Sequence, residues 1–224
     1  MNLDTLPRLM QLNDGTPVTS PAQWETRRSQ LLHILRREEF GFAPPPPARV
    51  DGTITGWDTD CCSGHAVLED IRISFPTPKG SFSFPVKFFV PQTTEKCPLF
   101  LLLNFRPDAY DKYFPAEEII DNGFALAVIY YEDITADNED WQSGLAGQYP
   151  RSEDGTGWGK ISMWAWGASR ALDYLVTRPE IDTRRIGVIG HSCLGKTALW
   201  CAAQDQRVSL ACSKESGSAG AALE

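Results

Sequence analysis

Three nearly unbroken apolar runs, residues 99–105, 124–130 and 186–189, constrain this chain more than anything else in it. A strand with one face in water alternates polar and apolar residues. A continuous run fits a strand covered on both faces, as in a parallel sheet between helices. A shorter run, residues 208–212, supplies a fourth candidate. Segments with helical signals lie between them. Residues 115–121 are a short one. Residues 160–176 carry Ile161, Trp164, Ala165, Ala168, Ala171, Leu172 and Leu175 on one face, and Pro179 ends them. The alanines allow close approach to a sheet.

Upstream the period changes to two. Val67, Ile71, Ile73 and Phe75 precede the turn at 76–80, and Phe82, Phe84, Val86, Phe88 and Val90 follow it. This reads as an antiparallel pair. Earlier still, Ser20-Pro21-Ala22-Gln23 is a capping box with proline at the first helical position. Trp24, Leu31, Ile34 and Leu35 form the apolar stripe of that helix, with Arg27, Arg28, Arg36 and Arg37 mostly off it. The helix should stop before Gly41, and prolines 44–47 read as a rigid connector. The expected fold is α/β, a mixed and mostly parallel sheet with helices on both faces. Residues 1–47 would be a helical extension with a Pro-rich connector, and residues 48–224 the α/β domain.

Charge narrows the partners. The 224 residues carry 21 Lys+Arg against 29 Asp+Glu, a formal net charge of −8. That balance opposes a nucleic-acid or anionic-membrane partner, which would need a basic face. No apolar run approaches the ~18–20 residues of a membrane span, and the first residues lack the pattern of a secretory signal. A cytoplasmic location is therefore expected. Cys61 and Cys62 are adjacent, whereas Cys97, Cys193, Cys201 and Cys212 are scattered, without C-x-x-C or zinc-type spacing. Reduced core cysteines and no metal are expected.

The segment 185–200 reads as buried strand, sharp turn and helix start, and two chemistries fit the turn. In a nucleophile elbow, Ser192 would sit in a strained turn above the sheet, with the Cys193 N–H aimed at a developing oxyanion. Gly190 would allow the close approach, although Leu194 stands where G-x-S-x-G has its second glycine and Gly195 comes one later. In a phosphate loop, Gly190 through Gly195, Lys196 and Thr197 satisfy G-x-x-x-x-G-K-[ST]. That reading needs an acidic magnesium ligand on a neighbouring strand, and residues 207–214 hold no aspartate. Glu215, just past the fourth run, would place a carboxylate beside the elbow, in the order Ser then acid.

Gly190-x-Ser192-x-x-Gly195-Lys196, together with Glu215-Ser-Gly-Ser-x-Gly220, resembles the glucuronoyl esterases and their acetyl-xylan-esterase-like bacterial relatives. The resemblance runs back through Asn104-Phe105-Arg106, residues 127–131 and 158–175, and Trp24-Glu25-Thr26-Arg27-Arg28. It implies an α/β-hydrolase fold and a serine esterase acting on carbohydrate-linked esters, glucuronoyl or acetyl. Ser192 would be the nucleophile, Glu215 the acid and Lys196 a contact to sugar hydroxyls. The second oxyanion N–H would come from around Phe105 and Arg106, and no cofactor is implied.

Two departures accompany the resemblance. The family has arginine after the nucleophile, where this chain has Cys193. The family's histidine lies well downstream of Glu215, and the histidines here are His33, His65 and His191. His191, next to Ser192, is expected to point away from it. These departures imply that residues 1–224 alone hold an incomplete triad and lack the family's C-terminal strands. The exposed sheet edge this leaves could drive self-association. Seven tryptophans keep a third reading open, a non-catalytic carbohydrate-binding or interaction module.

Overall fold

A computed structural model of the chain describes residues 7–108, 115–152, 155–218 and 220–221. Its centre is one seven-stranded sheet in the order β1-β2-β3-β5-β4-β6-β7. These strands are β1 (Asp51–Cys61), β2 (Ala66–Thr77), β3 (Gly80–Pro91), β4 (Cys97–Asn104), β5 (Ala125–Tyr130), β6 (Ile181–His191) and β7 (Leu210–Lys214). The helices are α1 (Pro21–Leu35), α2 (Ala116–Asp121), α3 (Lys160–Leu175) and α4 (Cys193–Gln204). Strands β1 to β3 form an antiparallel meander joined through β3 to β5, and β5, β4, β6 and β7 run parallel. The expected α/β fold with a mixed, mostly parallel sheet is the one observed.

The apolar runs do what their lack of alternation demands. In β4, Leu99, Leu101 and Leu103 enter a core with Trp164, Ala168 and Leu172 of α3 and Leu194 and Ala198 of α4. Phe100 and Leu102 face the opposite side, towards Ala116 and Ile120 of α2. Strand β5 divides likewise, with Ala125, Ala127 and Ile129 on the first side and Leu126 and Val128 on the second. The central strands therefore have two dry faces.

Three features differ from the expectations. Strand β1 was not expected. It is polar, contains Gly52 and Gly56, lies mostly exposed at the sheet edge and is interrupted by two register shifts. The fourth parallel strand begins at Leu210 rather than at 208. Strand β7 closes the other edge, with Leu210 51% exposed. The third difference is α1, whose proposed stripe is not its docking surface. Leu35 is exposed, whereas Arg27 is only 2% exposed. The Arg27 guanidinium donates to Leu9 O, Arg8 O and Asn13 Oδ1. Ser20 caps α1 by accepting the Gln23 N–H, while Gln23 Oε1 accepts the Thr19 N–H and the Ser20 hydroxyl rather than the Ser20 N–H.

As expected, the helical segment ends before Gly41, but its last turn, Arg36–Phe40, is π-helical. Phe40 stacks on Trp200 of α4 at 4.2 Å, and Arg28 and Arg36 donate to Ala203 O and Gln204 Oε1 near the end of α4. Gly41 then takes φ 74° against the 157–158 backbone, where a Cβ would lie 2.3 Å from Gly157 O.

The ion pairs around β6 have a consequence for acid stability. The Arg184 N–H and the Arg185 guanidinium hold the Asp182 carboxyl at about 2. Arg178, which forks onto Glu69 and also binds Glu180, lowers the Glu180 carboxyl. Groups depressed by folding add stability above their unfolded pKa and lose it as pH falls through the folded value. Burial raises Glu39 and Asp133, which oppose the trend. The urea midpoint is therefore expected to hold down to about pH 4.5 and to fall between there and about pH 2. A midpoint unchanged at pH 3 would show that these carboxylates are not held by their partners.

No helix among the described residues is long and apolar enough to cross a membrane. None of the groupings of His, Cys, Asp and Glu there could hold a metal ion.

Candidate active site

The turn between β6 and α4 is a strained elbow. Ser192 has φ 56° and ψ −126°, a region that costs a non-glycine residue about 1–3 kcal/mol. The strain is held by its neighbours. The Ser192 N–H donates to Lys214 O of β7 at 2.9 Å, while the Ser192 carbonyl accepts the N–H groups of Gly195 and Lys196 at 2.9 and 3.2 Å. Ser192 itself is exposed at the C-terminal end of the parallel strands. Cys193 opens α4, so its N–H is among those a helix leaves without an internal partner.

The glycines explain the displaced motif. A Cβ on Gly190 would lie 2.0 Å from Leu194 O, so nothing larger fits there. Leu194 is fully buried and belongs to the core, which removes any need for glycine at that position. The close approach falls instead at Gly195, where a Cβ would sit 3.1 Å from Lys214 O and Ser213 Oγ. Gly190→Ala is expected to cost on the order of 3 kcal/mol through backbone overpacking. Gly195→Ala, which meets milder crowding and gains helix propensity, should stay within about 1 kcal/mol of the parent. Urea unfolding of both variants checks the pair, and equal losses would contradict this packing.

Glu215 follows β7 in a left-handed conformation, φ 50°, and β7 pairs with β6 so that Lys214 lies opposite His191. Carboxylate and elbow therefore share one end of adjacent strands. His191 Nδ1 lies 3.7 Å from Glu215 Oε2, both side chains are largely exposed, and the imidazole meets the Phe105 ring edge-on at 6.3 Å. Among the described residues no side chain hydrogen-bonds to Ser192 Oγ. His33 packs against Phe42, and His65 binds Asp121.

Phe105 and Arg106 follow β4 and line a cavity of about 460 Å3 with Asn104, Gly190, His191 and Lys214. Ser192 and Glu215 are not in its lining. Asn104 Nδ2 is buried there and has no hydrogen-bond partner among the described residues. Residues 109–114 lie outside the described residues.

Burial, and next the Asp137 charge, raise the Cys193 thiol pKa. The cysteine beside the elbow is therefore a neutral thiol near pH 7 and a poor competitor for Ser192. Thr197 is fully buried and donates its hydroxyl to Cys193 O at 3.0 Å. A phosphate loop would need that hydroxyl for a metal ion, so the local geometry favours the elbow.

Glu39 was not foreseen from sequence. Lys196 and Trp200 lie four residues apart on one face of α4, and the stack of Phe40 on Trp200 brings Glu39 beside Lys196. Burial raises the Glu39 carboxyl and the Lys196 charge partly offsets it. No local signal in the sequence marks this approach.

The profile of the family described as glucuronyl esterase, fungi, matches residues 73–223. A carbohydrate esterase, MZ0003, from an unknown prokaryotic organism is 29% identical over 98% of this chain and 60% of its own length. 4-O-methyl-glucuronoyl methylesterase 1 of Wolfiporia cocos (strain MD-104) is 33% identical over 98% of this chain and 51% of its own. The chain thus spans about half to three-fifths of these relatives. Among solved structures, the glucuronoyl esterase from Solibacter usitatus superposes with a TM-score of 0.87 at 30% identity, covering 98% of this chain and 66% of that one.

Proposed function

From the premise that this chain belongs to the glucuronyl esterase family, we propose that it carries the nucleophile and acid of a serine esterase that cleaves esters of a uronic-acid carboxyl group. The observation that carries the reading is Ser192, held at φ 56° between a buried parallel strand and a helix N-terminus, with Glu215 at the end of the next strand. The relatives' names supply the substrate class.

In this mechanism Ser192 Oγ attacks the ester carbonyl, and a histidine takes its proton. The Cys193 N–H and an N–H around Phe105 and Arg106 hold the oxyanion, the alcohol leaves, and water releases the uronate from the acyl-enzyme. Glu215 orients the histidine and Lys196 binds sugar hydroxyls. None of His33, His65 and His191 hydrogen-bonds to Ser192, so in this reading residues 1–224 alone are expected not to hydrolyse an aryl acetate, and steady serine-dependent turnover would overturn that expectation. The base is the downstream histidine that the resemblance implies.

The test is a protein that includes that histidine, given an alkyl ester of 4-O-methyl-glucuronate and, separately, an acetylated xylose. Release of uronate with little release of acetate is expected. Acetate release alone would move the substrate to acetyl esters. In the same protein Cys193→Arg is expected to raise kcat/KM about 10–100-fold, because a fixed cation beside the oxyanion favours the transition state over the ground state. An unchanged or lower value would mean that Cys193 shapes a pocket for another substrate.

A further inference from the structure

We propose that Cys61, the last residue of β1, and Cys62, the first of the turn joining β1 to β2, form a peroxide-responsive dithiol that closes to a disulfide between adjacent residues. Neighbouring residues on a strand send their side chains to opposite faces, which keeps adjacent sulfurs apart. Here the two Sγ atoms lie 3.5 Å from each other. The backbone brings this about. Cys62, Ser63 and Gly64 take successive left-handed φ values of 54°, 56° and 82°, two of them on residues that ordinarily avoid that region. The Gly64 N–H bonds to Cys61 O at 3.1 Å and the His65 N–H to Cys62 O at 3.1 Å, fixing the turn. Both thiols are buried against Ala116 and Ile120 of α2, yet the exposed residues Ser63 and His65 lie immediately beyond them.

The chemistry balances with peroxide as the oxidant. One thiolate attacks the peroxide, an S–O bond forms, the O–O bond breaks, and the departing hydroxide is protonated to water. The second thiolate then attacks the sulfenic sulfur, the S–S bond forms, and a second water leaves. The dithiol loses two electrons and the peroxide gains them. Adjacency makes the second step intramolecular. Burial first, then the bond to Cys61 and the charges of Glu117 and Asp121, push the Cys62 thiol up to about 12. The Cys62 thiolate is therefore scarce near neutrality, and the rate of its attack should rise about tenfold per pH unit. Adjacent Cα atoms are ~3.8 Å apart, short of the ~4.4–6.8 Å usual for disulfides, so a small dithiol should reopen the ring readily.

The test is peroxide treatment of the folded chain at two pH values, followed by acid quench, alkylation under denaturing conditions and peptide mapping. The peptide containing both cysteines is expected to lose two hydrogens and resist alkylation. The reaction should be about thirtyfold faster at a pH 1.5 units higher, and dithiothreitol should reverse it. Cys61→Ser and Cys62→Ser should each abolish the two-hydrogen loss. The parent chain decides the matter whether or not those variants fold. Two alkylated cysteines after treatment, separate sulfinates, or a bridge from either residue to another cysteine would overturn the proposal.

Discussion

Ser192→Ala, in a protein that includes the downstream histidine, is expected to lower kcat by about five orders of magnitude, leaving only what binding and the oxyanion donors provide. The effect should be this large because nothing nearby can replace the hydroxyl. The adjacent Cys193 thiol is held neutral by burial and by Asp137. Folding should be spared, since the exposed Oγ has no hydrogen-bond partner among the described residues to lose. A fluorophosphonate probe should modify Ser192 and no other serine. Adduct mapping to a different serine, or a kcat within tenfold of the parent, would remove Ser192 from the mechanism.

The second large effect is expected at Glu215. Glu215→Gln keeps the shape of the side chain and removes the charge that orients and stabilises the imidazolium, so kcat should fall about 10⁴-fold with KM nearly unchanged. The carboxylate is largely exposed, and its one ion-pair contact among the described residues is with His191 at 3.7 Å, so stability should move by no more than about 0.5 kcal/mol. A rise in KM at constant kcat would make Glu215 a substrate contact, and the triad acid would then lie on a later strand.

Much of this architecture was legible because burial on both faces leaves a mark in composition. Residues 99–105 and 124–130 could hardly be anything but central strands, and the elbow glycine at 190 was readable because only one residue type fits there. Strand β1 left no such mark: an exposed edge strand with glycines and bulges has no dry face to encode. The first helix misled for a related reason. Hydrophobic periodicity registers apolar docking, whereas α1 is anchored by guanidinium groups reaching backbone carbonyls. The approach of Glu39 to Lys196 was invisible because it depends on two aromatic rings far apart in sequence finding each other.

The single bond from the Ser192 N–H to Lys214 O ties the proposed nucleophile to the residue just before the proposed acid. The two groups are thus one mechanical unit, and a slip of β7 along β6 would displace both at once. Such a junction leaves evolution little room. Diversification of substrate has to fall on the segments that merely overlook the junction, after β4, after β5 and at the π-helical turn, where a changed side chain alters what is held without altering what is done to it. The arrangement separates the parts that may drift from the part that must stay, and a designer seeking new ester specificity would begin with the former.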